Sequence, residues 1–154
     1  MDNSFKERVE DGIFRGYATQ FTGSDHSTYQ DLIHDTFPGP YVEIDCAAIL
    51  DYDEFFVAMG PQLVTTLEEF YQPWMAVEDH FDAEKGTLVL YNFDELDSKT
   101  ATDVAQYIKG LWEDQNHDSK REFAIAITTD DPDALYRGNG DLSGRVRTLN
   151  LANE

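Results

Sequence analysis

The sequence predicts an α/β domain, a three-layer fold with a mostly parallel five-stranded sheet and helices on both faces. Three observations carry this. Five apolar stretches have strand character, and most are separated by segments with apolar residues at helical spacing, which implies crossovers and parallel neighbours. Two of them, Thr87-Leu-Val-Leu-Tyr-Asn92 and Glu122-Phe-Ala-Ile-Ala-Ile-Thr128, have continuous apolar interiors, as strands buried on both faces do. No repeat, low-complexity tract or Pro/Gly/Ser-rich linker divides the 154 residues, a length suited to one domain with its own core.

Taken in order, residues 1–11 are polar and are expected to form a flexible leader. Gly12-Ile-Phe-Arg-Gly-Tyr-Ala18 is a candidate strand, followed by a loop through Thr22-Gly-Ser-Asp25 and a helix from Ser27 to about Phe37. Tyr29, Leu32, Ile33 and Phe37 share one side of that helix, Ser24 or Asp25 can cap it, and Pro38-Gly-Pro40 stops it. Tyr41 to Cys46 reads as a short strand. From Asp53 to about Tyr71, the residues Phe55, Phe56, Met59, Leu63, Leu67, Phe70 and Tyr71 recur at helical spacing, and Gly60-Pro61 divides the helix. Trp74 to Lys85 is polar and irregular and leads into the strand Thr87–Asn92. Ser98 is expected to cap a helix to about Asp114 whose stripe is Ala101, Val104, Ala105, Ile108, Leu111 and Trp112. Gln115 to Lys120 is a turn, Glu122–Thr128 the second buried strand, and Arg145–Leu151 a last, alternating one.

Acids number 31 against 11 bases, for a formal net charge of -20, and they are spread along the whole chain instead of forming a tail. Such a surface stays soluble when salt screens repulsion, and the composition resembles that of proteins from salt-loving archaea. It reports the solvent more than the task. It disfavours a nucleic-acid backbone as partner at low salt, although salt-adapted DNA-binding proteins are acidic too. The single cysteine, Cys46, rules out an intramolecular disulfide framework, fits a reducing compartment, and reads as a small buried hydrophobe. No apolar run reaches the ~18 residues of a membrane span, and the N-terminus lacks a signal-peptide layout, so a cytoplasmic protein without membrane contact is expected.

In a parallel α/β sheet, ligands bind beyond the carboxyl ends of the strands, so chemistry is sought after Ala18, Asn92 and Thr128. The first candidate is the turn Gln20-Phe-Thr-Gly-Ser-Asp-His-Ser-Thr28, where Thr22, Gly23, Ser24, His26, Ser27 and Thr28 occupy the position of a phosphate cradle. It equally fits an Asp/Ser-rich turn that only caps a helix. The second is the strand-terminal acid pair Asp94-Glu95, which also suits plain helix N-terminal chemistry. The third is the hydroxyl end Thr128-Thr129. The fourth is Asp141-Leu-Ser-Gly-Arg145-Val-Arg147 with Arg137 nearby, for which pairing with Asp130, Asp131, Asp133 and Asp141 is the plainer account, worth about 0 to 1 kcal/mol per exposed pair.

Together, and in this order along the chain, these stretches resemble the core of the AAA+ group of P-loop ATPases, including origin-recognition and clamp-loader types. The turn is similar to G-x-x-x-x-G-K-[ST] with Gln20 and Asp25 at the glycine positions and His26 at the lysine position; the acid pair is similar to a Walker B segment. The resemblance implies a P-loop NTPase-like sheet. If nucleotide binds, it also implies Mg held by Ser27 and Asp94, with ATP as the ligand. Glu95 would then position water, Thr128 would sense the terminal phosphate, and Arg145 or Arg147 would supply charge to a neighbouring site. With a carboxylate in the cradle and the lysine gone, and no room after Glu154 for the helical lid of such ATPases, hydrolysis is expected to be lost.

Other site types have less support. His26 and His34 are about 80° apart on a helix, and Asp79-His80 and His117-Asp118 fall in separate loops, so no metal-ligand spacing emerges. There is no G-x-S-x-G elbow and no spaced-glycine dinucleotide fingerprint. The expected function is therefore a non-catalytic P-loop-like binding or regulatory module in a salt-adapted archaeal cytoplasm, requiring no cofactor and acting on another protein. The alternatives are a working nucleotide-binding ATPase-like protein and an unrelated α/β protein-interaction domain.

Overall fold

The computed structural model describes residues 7–11, 18–37, 41–59, 86–117, 123–138 and 146–153. Five strands, β1 (Ala18–Thr22), β2 (Tyr41–Asp45), β3 (Gly86–Tyr91), β4 (Phe123–Thr128) and β5 (Val146–Asn150), form one sheet in the order β2-β3-β4-β1-β5. Every neighbouring pair is parallel, in registers such as Val89 beside Ala126, Thr19 beside Ala126, and Gln20 beside Thr148. The helices are α1 (His26–Thr36), α2 (Tyr52–Met59), α3 (Ser98–His117) and α4 (Ala134–Gly138).

Strand alternation sends side chains to two separate cores. Val42, Ile44, Leu88, Leu90, Ile125 and Ile127 pack with Phe55 of α2, Val104 and Ile108 of α3, and Leu135 of α4. Phe21, Val89, Tyr91, Ala126 and Leu149 face the other way and pack with Tyr29, Leu32 and Ile33 of α1. Helices therefore cover both faces, and the sandwich has three layers. The stretch expected as a leader includes a helical turn at 7–11 whose Val9 is fully buried in this second core, held by Arg147, which donates to the Arg8 carbonyl at 2.8 Å and to Asp11 at 3.2 Å.

Several boundaries differ from expectation. The opening strand, expected over 12–18, is described over Ala18–Thr22 and so runs on to Thr22, while 12–17 lie outside the described residues. Gln20 is fully buried there because its amide finds acceptors, donating to the Pro132 carbonyl at 3.0 Å and to Thr148 Oγ1 at 2.9 Å. The helix expected to be capped by Ser98 is capped one residue earlier. Asp97 Oδ1 accepts the Thr100 N–H at 2.8 Å, which satisfies a first-turn donor and draws the Asp97 carboxyl below its usual range. α3 also continues past Asp114 to His117, and the side chains of Leu111 and Trp112 lie outside the description. α2 ends at Met59, and residues 60–85, including the rest of the expected long helix and the Trp74–Lys85 stretch, lie outside the described residues. Among the described residues no helix is long and apolar enough to cross a membrane.

Candidate functional site

Because all strands run the same way, their carboxyl ends share one rim. β1 and β4 are neighbours, yet α1 leaves β1 for one face and α4 follows β4 onto the other. In open parallel sheets ligands sit in the crevice expected at such a reversal, here the carboxyl ends of β1 and β4. There the Thr129 N–H donates to the Phe21 carbonyl at 3.0 Å. The turn from Gly23 to Thr28 and the acid pair Asp94-Glu95 both lie on this rim, as the sequence implied.

The turn is short. β1 ends at Thr22 and α1 begins at His26, leaving Gly23, Ser24 and Asp25 between them. Gly23 has φ +83°, and a Cβ there would stand 2.2 Å from Asn150 Oδ1 and 2.9 Å from the Ala152 nitrogen, so both the left-handed backbone and the close approach of the C-terminal turn require glycine. Asp25 is the N-cap of α1: its Oδ1 accepts the Thr28 N–H at 2.8 Å, and that bond, with the Thr28 hydroxyl, holds its carboxyl below the usual range. The Ser24 N–H donates to the Tyr29 hydroxyl at 2.9 Å. Two of the turn's N–H groups are thus already bonded to the chain's own oxygens. Ser27 and Thr28 are exposed.

Opposite the turn, Asn92 takes the left-handed conformation at φ 60° and swings the chain into the 3₁₀ turn Phe93–Glu95. Asp94 Oδ1 accepts from the Asp130 N–H at 3.0 Å and from Thr129 Oγ1 at 3.1 Å; that hydroxyl proton is shared with the Asp131 carbonyl at 2.9 Å. Glu95 is exposed. Thr128, expected to feel a phosphate, is buried, and its hydroxyl oxygen accepts the Asn92 N–H at 3.0 Å, tying β4 to β3. It is Thr129 whose hydroxyl reaches Asp94. Arg145 lies outside the described residues, and Arg147 grips the 7–11 turn.

The His26 ring rests on Tyr91, with centroids 4.6 Å apart. The Tyr91 hydroxyl donates to Glu43 Oε1 at 2.7 Å, and His34 Nε2 lies 2.7 Å from the same oxygen. Burial, then the Glu43 bond and charge, push the Tyr91 phenol upward, so it remains a donor. Burial and the nearby Asp45 and Asp94 push the Cys46 thiol up to about 12, which removes it as a nucleophile and fits the small buried hydrophobe expected of it. Among the described residues no group of three or more His, Cys, Asp or Glu could hold a metal ion.

No protein-family model and no curated protein sequence matches the chain. Solved structures do. Drosophila ORC bound to DNA superposes with a TM-score of 0.65 at 9% identity, covering 96% of this chain and 87% of that one. Cdc6p from Pyrobaculum aerophilum gives 0.58 at 11% identity, covering 94% and 44%. The Aeropyrum pernix ORC2 protein in its ADPNP–ADP complexes gives 0.56 at 7% identity, covering 96% and 46%. The chain has the fold of the P-loop ATPases. It spans less than half the length of the latter two proteins.

Two participants have little or no local signal in the sequence. Tyr29 looked like one more core residue on the α1 stripe, and only its placement four residues after Asp25, one turn into the helix, hinted that its hydroxyl could reach back to the loop. Of the hydroxyl end Thr128-Thr129, it is Thr129 that meets Asp94, since alternation at the strand end makes successive hydroxyls point apart. The partnership of Tyr91 with Glu43 and His26 joins β2, β3 and α1, and no local pattern encodes it.

Proposed function

We propose that this chain is a non-catalytic relative of the P-loop ATPases, a binding or regulatory module of a salt-adapted archaeal cytoplasm in which nucleotide hydrolysis has been lost and whose partner is another protein. The observation that carries the reading is the Asp25 carboxylate bonded to the Thr28 N–H inside the turn. A P-loop grips phosphate with backbone N–H groups at this helix start. Here a negative charge occupies that place and repels an incoming anion. The packing of His26 on Tyr91 supports the same reading, because it engages the imidazole with the end of β3. The residues do not fit a triphosphate with its magnesium, and no cofactor is assigned.

A working nucleotide binder is the second reading, favoured by the shared rim of the turn and Asp94-Glu95; Ser27 and Asp94 would then hold Mg, and Glu95, Thr128 and Arg145 would serve hydrolysis of ATP. Calorimetry with Mg-ATP and Mg-GTP in multimolar KCl separates the two. No binding up to millimolar nucleotide is expected, and micromolar binding overturns the proposal. The double substitution Asp25→Gly with His26→Lys is expected to restore measurable nucleotide affinity; no gain would favour an interaction domain with no nucleotide-binding past. A formal net charge of -20 disfavours nucleic acid as the partner.

A further inference from the structure

The turn between β1 and α1 is held by a side chain for which the functional reading has no role. Tyr29 is 4% exposed, yet its hydroxyl stands at the rim and accepts the Ser24 N–H at 2.9 Å. Asp25, Asp94 and Asp130 lie close enough for their charges, after burial, to keep the phenol protonated. A neutral oxygen with lone pairs to offer can meet a backbone N–H in surroundings where an anion would be repelled.

We propose that the Tyr29 hydroxyl is an autoinhibitory plug that takes the place of an anion's oxygen at the Ser24 N–H, as Asp25 does at Thr28, so that the turn is closed to phosphate-type oxyanions by the chain's own side chains. The proposal rests on reading the turn as a P-loop relative. The two halves of the plug differ in kind. Asp25 excludes by charge and is exposed, whereas Tyr29 excludes by occupancy and is anchored in the core with Leu32 and Ile33.

The halves are separable by substitution. Tyr29→Phe removes one oxygen and keeps the buried ring, and Asp25→Gly removes the carboxylate while leaving a residue tolerated at a helix N-cap. Two measurements on the full chain in molar KCl test the plug: amide hydrogen exchange at Ser24, and calorimetric titration with pyrophosphate. Tyr29→Phe is expected to speed exchange at Ser24 about tenfold, the factor that corresponds to losing one ordinary hydrogen bond, with exchange at Leu32 and Ile33 unchanged. The double variant is expected to bind pyrophosphate at least about tenfold more tightly than Asp25→Gly alone. Unchanged exchange at Ser24 in Tyr29→Phe, or equal affinities for Asp25→Gly with and without Tyr29→Phe, would overturn this inference while leaving the non-catalytic reading in place. Micromolar Mg-ATP binding by the unaltered chain would overturn both.

Discussion

The imidazole of His26 packs against the phenol ring of Tyr91, with ring planes inclined at 52°. His26, the first residue of α1, is therefore engaged sideways, with the end of β3. Tyr91 in turn donates to Glu43 on β2, where His34 from the far end of α1 also arrives. α1 is fastened to the β2–β3 side of the sheet at two points eight residues apart, with apolar packing between.

His26→Ala tests the weight of that contact. Aromatic pairs contribute about 0.5 to 1.5 kcal/mol beyond area burial, and His26 is exposed, which places the expected loss near the lower figure. For a chain of this size that is a drop of about 1 to 3 °C in melting temperature, read by calorimetry. An unchanged melting temperature would mean the rings touch without holding α1.

How far the fold was legible in the sequence depends on what each strand packs. β3 and β4 were plain because Leu88, Val89, Leu90, Ile125 and Ile127 are buried by apolar neighbours on both faces, and an uninterrupted apolar run records that directly. The extension of β1 beyond Ala18 to Thr22 was not legible because its buried residues include Thr19 and Gln20, whose polarity reads as loop. Gln20 is a strand residue only by virtue of acceptors supplied by Pro132 and Thr148, far along the chain. The same limit governs the site. That the turn and the acid pair share a rim follows from parallel strands, and motif order was enough to place them there. That Asp94 is engaged by Thr129 and Asp130, and the turn by Tyr29, depends on side-chain reach across separate elements.

Gly23→Ala should be costly for two independent reasons. A left-handed backbone costs an L-residue about 1 to 2 kcal/mol, and the new methyl would meet Asn150 Oδ1 and the Ala152 backbone. Adding Asn150→Ala removes the side-chain obstacle but also the acceptor of the Ala152 N–H at 3.0 Å, so the double variant is expected to recover part of the loss and no more. Chemical denaturation of the three proteins measures this. Full recovery would show that the backbone conformation carries no penalty.

Thr129→Val keeps the shape of a buried side chain and deletes the hydroxyl that serves Asp94 and accepts the Asp131 N–H at 3.0 Å. Stranding such groups costs about 1 to 3 kcal/mol, whereas Thr129→Ser should retain most of the stability. Thr128→Val would act elsewhere, loosening the Asn92 N–H at the β3 end. If Thr129→Val and Thr129→Ser melt together, the hydroxyl does not hold the rim.

Asp25 and Asp97 cap α1 and α3 as carboxylates whose folded pKa values lie below their ordinary 3.8. A depressed folded value means that the ionised cap contributes stability above pH 3.8, and that this contribution disappears as pH falls through the lower folded value. Asparagine caps without charge. The Asp25→Asn, Asp97→Asn double variant is therefore expected to trail the parent near neutral pH and to converge with it as acid is added below pH 3.8. The difference between their denaturation midpoints, followed from neutral to strongly acidic buffer, isolates the caps from the titration of the other acids. A gap that stays constant through that window would assign the capping strength to geometry alone.

Self-repulsion among 31 acids should make stability depend on salt. At the rim the effect is concentrated, because Asp25, Asp94 and Asp130 gather around the Tyr29 hydroxyl. The screening length falls from about 30 Å at 0.01 M to about 3 Å at 1 M, so repulsion across the crevice is felt at low KCl and nearly absent at molar KCl. The melting temperature should rise steadily over that range. Asp130→Asn keeps the backbone N–H that Asp94 accepts while deleting one of the three charges, so it should raise the melting temperature at low KCl and leave it unchanged at molar KCl. A melting temperature that ignores KCl in the parent would contradict the salt-adapted reading of the surface, and a benefit from Asp130→Asn that persists at molar KCl would place the cause in local packing instead of charge.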